Sequence, residues 1–129
     1  MAKKNTPANY KVEIIETSKE LTPKERIAFK DTSDAVKLDH VADEPFTIKV
    51  VDYAKLSVHN EASENVDYEV FILVDADGTK YVTGSSTFFD SFINIYNEMK
   101  DSNEEWAIKV YKVPSKNYAG KSFLTCSII

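Results

Sequence analysis

The spacing of apolar side chains changes period twice in the strand-rich part of this chain, and the changes set one helix apart from the strands on either side. From Phe46 to Val58 the spacing is mostly two. Ile48 and Val50 face one way, and Lys49, Val51, Tyr53 and Lys55 face the other. Asp52 then interrupts the inner row before Ala54, Leu56 and Val58, which predicts a long, bent strand with a bulge. Tyr68–Val74 is apolar on both faces and belongs in the centre of a sheet. Asp75-Ala76-Asp77-Gly78 predicts a tight hairpin, with a short strand over Thr79–Thr83. Phe88, Phe92, Ile95 and Met99 then step by helical spacing, widened by Phe89, Ile93 and Tyr96. Ser85 or Ser86 can cap this helix, which should stop near Lys100–Asn103. Trp106–Val113 and Lys121–Ile128 return to strand character around a Pro114–Gly120 loop.

The first third is less regular. Residues 1–10 read as a flexible arm, and Lys11–Glu16 as a strand of unclear register. Thr22-Pro23-Lys24-Glu25 is a capping box with proline at the first helical position. The short helix it starts would carry Ile27 and Phe29. Residues 31–45 are acidic and rich in turn formers, so they read as irregular chain.

The pattern predicts one domain over 1–129, mainly β with one amphipathic helix, the arm preceding an OB-like nucleic-acid-binding domain over 11–129. The order of long strand, strand, short strand, helix, strand, strand is that of an OB-fold, a five-stranded barrel. An α+β domain with an open antiparallel sheet is the rival, because periodicity does not decide whether a sheet closes.

Charge adds a second pattern. The formal net charge is -5, yet residues 31–75 hold eleven acidic and three basic groups while residues 106–129 hold four lysines and no carboxylate. An acidic chain can therefore present one positive face. No apolar run reaches the ~18 residues of a membrane span. No hydrophobic segment follows the first lysines, and Cys126 is the single cysteine. The expectation is a cytoplasmic protein without a disulfide, with Cys126 a small buried hydrophobe.

Enzyme readings find little support. His40 lies near Asp39, Asp43 and Glu44, but such a stretch is more often a solvated acidic loop than a metal site. Asp75–Gly78 lacks the later ligands of an EF-hand, and Thr83–Ser86 lacks the lysine and spacing of a P-loop. His59 with Cys126 would need a third, orienting group. The sequence thus predicts no catalytic residue, metal or cofactor.

A binding surface is the stronger reading. Nonspecific single-strand binders combine a positive groove with aromatic platforms. Tyr53 lies between Lys49 and Lys55 at alternating positions, Lys109 and Tyr111 share a face, and Lys121 and Phe123 lie opposite Leu124, Cys126 and Ile128. Lys116 and Tyr118 sit in the connecting loop. The predicted DNA-binding residues are Tyr53, Lys55, Lys109, Tyr111, Lys116, Tyr118, Lys121 and Phe123. Aromatic packing in a small core is the competing explanation for the rings.

The segment Tyr68–Ile129, with YVTGSSTFFDSF and SKNYAGKSFLTCSI, resembles the small single-stranded DNA-binding proteins of phages and mobile elements of Gram-positive bacteria. The resemblance implies an OB-fold that coats single-stranded DNA in replication or recombination, with replication or recombination proteins and other copies of the chain as partners. The chain ends in the apolar Cys126–Ile129, where bacterial proteins of this function commonly carry an acidic recruiting tail. A different class remains open: a protein-binding module, or a DNA-mimicking inhibitor of a DNA-acting enzyme, built on the acidic segment.

Overall fold

The long strand of the sequence is present and bent. It forms β3 (Phe46–Ile48) and β4 (Val50–Asn60), and Lys49 is the joint between them. The computed structural model describes residues 10–116 and 120–129. The other elements are β1 (Tyr10–Thr17), α1 (Pro23–Lys30), β2 (Val36–Lys37), α2 (Leu38–Val41), β5 (Asp67–Asp75), β6 (Lys80–Thr83), α3 (Ser86–Met99), β7 (Ile108–Pro114) and β8 (Ser122–Ile128). The expected N-terminal arm lies outside the described residues except for Tyr10, which opens β1.

Two sheets share the bent strand. One has the order β1-β4-β5-β6-β2, with β5 in the interior as its two apolar faces require. The other has the order β3-β7-β8. All pairings are antiparallel except β2 with β6, which is parallel. Neither sheet closes, so the expected OB-fold barrel is wrong and the fold is a mixed α/β arrangement of open sheets. The physical reason lies at two edges. Closure would require β8 to pair with β6. The outer edge of β6 is taken by β2, from a segment expected to be irregular, and α3 packs along β8. The rival expectation of an open antiparallel sheet had the openness, but not the second sheet or the parallel pair.

Local chemistry explains the helices. Thr22 Oγ1 accepts from the Glu25 amide at 3.2 Å, and Glu25 Oε1 accepts from the Thr22 amide at 2.9 Å, which completes the capping box of α1. Ser85 caps α3 by accepting from the Phe88 amide at 3.1 Å. Gly78 takes φ of 91° in the Asp75–Thr79 hairpin, a conformation that suits glycine.

The main core lies between the two sheets and α3. Phe88, Phe89 and Phe92 of α3 meet Ile48, Phe71, Leu73, Val110 and Leu124 there. Phe71 and Phe89 stack at 4.4 Å between ring centres. A second cluster, Ala54, Leu56 and Ile72, lies on the opposite face of the larger sheet under Phe29 of α1. Leu38 and Ala42 are buried as well, so the irregular reading of residues 31–45 missed a structural segment.

Candidate nucleic-acid interface

Strand pairing sets which predicted residues meet. In the β3-β7-β8 sheet, Thr47, Lys109 and Ser127 form one cross-strand row, Tyr111 opposes Thr125, and Val113 opposes Phe123. The alternate residues Ile48, Ile108, Val110, Leu124 and Cys126 are buried. The first set therefore forms the outward face, and it contains no carboxylate.

Tyr111 is half-buried on this face. Its hydroxyl is 2.6 Å from Ser127 Oγ, which ties the ring across to β8, and Lys109 Nζ lies 5.8 Å from the ring centre. Phe123 is 40% exposed, enough to offer a ring face to a ligand. Beyond it opens a hollow of about 670 Å³ lined by Thr87, Val113, Pro114, Ser115, Lys116, Lys121, Ser122 and Phe123. The Ser115 amide donates to the Lys121 carbonyl at 2.9 Å, and Gly120 turns the chain with φ of 77°. That closure holds Lys116 and Lys121 at the same hollow. Five of the eight predicted residues are thus assembled here: Lys109, Tyr111, Lys116, Lys121 and Phe123. Tyr118 lies outside the described residues.

Tyr53 and Lys55 are elsewhere. The β4–β5 register slips between Val50 and Asp52, so Val51 is an extra residue. One extra residue reverses every following side chain. Tyr53 therefore joins Val50 on the inner face, 5% exposed, with its hydroxyl donating to Glu16 at 2.6 Å. Burial, then the Glu16 carboxylate, raise its pKa. Its ring packs against Tyr96 and Phe92 at 4.9 and 5.5 Å. Lys55 is on the same side, 3.7 Å from Glu69 and 5.9 Å from the centre of the Phe89 ring. The outward placement expected for Tyr53 is corrected by the same bulge that the Asp52 interruption predicts.

Other candidate chemistry has structural partners. His59 lies within β4, one residue before its end, with Nδ1 2.7 Å from Asp67 and Nε2 3.0 Å from Glu61. Its hydrogen bonds to Glu61 and then Asp67 raise its pKa. Burial pushes the Cys126 thiol up to about 12. Lys112 donates to the Asp39 carbonyl and to Asp43. Among the described residues, no group of three or more His, Cys, Asp or Glu is placed to hold a metal. No described helix is long and apolar enough to cross a membrane.

The rest of the interface was missed by the sequence reading. Thr125 and Ser127 follow from the alternation of β8, whereas Thr47 enters only through the long-range β3–β7 pairing. The chain matches no protein-family model, no curated protein and no solved structure.

Proposed function

We propose that the outer β3-β7-β8 face and the adjoining hollow bind single-stranded nucleic acid without base preference. The observation that supports this most is the outward set of Thr47, Lys109, Tyr111, Val113, Phe123, Thr125 and Ser127, which joins aromatic rings to a lysine and lacks a carboxylate. Bases stack on Tyr111 and Phe123, while Lys109, Lys116 and Lys121 meet phosphates. The Thr47 hydroxyl donates to phosphate or sugar oxygens. The role is coating, with no covalent step, in the cytoplasm during replication or recombination.

Two corrections favour a second reading, a protein-binding module or DNA-mimicking inhibitor. The barrel is absent, and Tyr53 and Lys55 are withdrawn from the path. Register also places Glu13, Asp67 and Glu69 on one face of β1, β4 and β5. Four carboxylates there, Glu13, Glu61, Asp67 and Glu69, meet two lysines and one histidine, Lys11, Lys55 and His59, so negative charge is in excess. This acidic surface suits a basic partner.

Fluorescence titration with single-stranded and duplex DNA at two salt concentrations separates the readings. The proposal expects preferential single-strand binding that weakens with salt. Absence of single-strand binding at low salt would remove it and leave the protein-partner reading.

A further inference from the structure

Among the described residues, β1 has no strand on its outer edge. It pairs with β4 on one side and ends the five-stranded sheet on the other. The strand is eight residues long, YKVEIIET, and contains no proline. Tyr10 and Ile15 are 54% and 52% exposed, and no described strand pairs with the outer edge. Such an edge offers free amide and carbonyl groups to a further strand. Edges protected from pairing carry a proline, a bulge or charged side chains, lysine above all. Here the bulge comes only at Ile15, and the straight part before it carries both signs, Lys11 and Glu13.

The order of those signs selects one partner and one register. Lys11 and Glu13 lie over His59 and Ser57 on one sheet face, while Tyr10, Val12 and Ile14 oppose Asn60, Val58 and Leu56 on the other. When two copies of a strand pair antiparallel about a two-fold axis, opposed side chains share a face, so the axis passes through a residue. An axis at Lys11 sets lysine against lysine, and an axis at Glu13 sets glutamate against glutamate. An axis at Val12 sets Lys11 against Glu13 twice, Tyr10 against Ile14 twice, and Val12 against itself. Opposite charges and apolar pairs are the favourable cross-strand combinations.

We infer that the outer edge of β1 is an interface for a second copy of this chain, formed by antiparallel pairing of Tyr10–Ile14 about a two-fold axis at Val12. The two larger sheets become one continuous sheet. Five paired residues form a contact smaller than an ordinary stable interface, so association is weak and concentration-dependent. The inference is independent of the nucleic-acid reading, because β1 belongs to the other sheet from β3, β7 and β8.

Sedimentation velocity over a concentration series tests it, using the full chain, Lys11→Glu, Glu13→Lys and the double exchange. The parent forms a two-chain species, each single exchange weakens it about tenfold because both symmetric pairs become repulsive, and the double exchange restores it. Circular dichroism confirms that each variant is folded. A Val12→Cys variant adds a register-specific readout: oxidation links two chains through the axis, while the parent's buried Cys126 does not. A parent that stays monomeric to about millimolar concentration, single exchanges that match the parent, a double exchange no better than either single, or no link through Val12→Cys overturns the inference.

Discussion

At the scale of single residues, Tyr53 separates packing from binding. Its ring is inside the main core, and its hydroxyl is held by Glu16. Tyr53→Phe should cost about 1 kcal/mol through the lost hydrogen bond, and Tyr53→Ala roughly 3–5 kcal/mol through the lost ring. Chemical denaturation checks both values, and the folded Tyr53→Phe protein should bind single-stranded DNA as the parent does. The residue was misplaced because face assignment by alternation is a running count. Asp52 announced a break, but the sequence did not say how many residues the break contained. His59 gives a second residue-scale expectation. Its folded pKa is raised, so its contribution to stability is fully present below the unfolded value of about 6.5 and fades as pH rises through the folded value. The difference in Tm between the parent and His59→Gln should therefore be largest on the acid side and shrink toward alkaline pH. A Tm difference that grows with pH would contradict the Glu61–His59–Asp67 arrangement.

At the scale of elements, α3 carries the largest share of the main core. Phe88 and Phe92 are fully buried, and Phe92 touches both Phe89 and Tyr96. Phe92→Ala should lower stability by roughly 3–5 kcal/mol in denaturant unfolding; a loss below about 1 kcal/mol would mean that this face is not packed as described. This helix was legible because its stripe repeats over several turns and Ser85 supplies a cap. The capping box of α1 was legible for the same local reason. Residues 31–45 were not. Their strand β2 is two residues long and exists through its pairing with β6, and α2 is a single turn around Leu38. Elements that short have no period to detect. The buried positions Leu38 and Ala42, four apart, were the available signal.

At the scale of the whole molecule, sequence order resembled a barrel because order records neighbours along the chain and not the last pairing in space. The same limitation governs the candidate site. Lys109 with Tyr111, and Lys121 with Phe123, were legible within their own strands, while their union in one face depends on the β7–β8 register. The charge segregation becomes spatial in the same step: the lysine-bearing strands form the small sheet, and much of the acidic segment lies on the larger one. The central expectation is that Tyr111 stacks on bases while Lys121 neutralises phosphate. The most direct measurement is equilibrium binding of a single-stranded oligonucleotide across a salt series, for the parent, Tyr111→Ala and Lys121→Ala. Tyr111→Ala should lose about 1–3 kcal/mol with little change in salt slope, and Lys121→Ala should lower the slope by roughly one unit or less. Two folded variants that bind as the parent does, at every salt concentration, would contradict the assignment of this face.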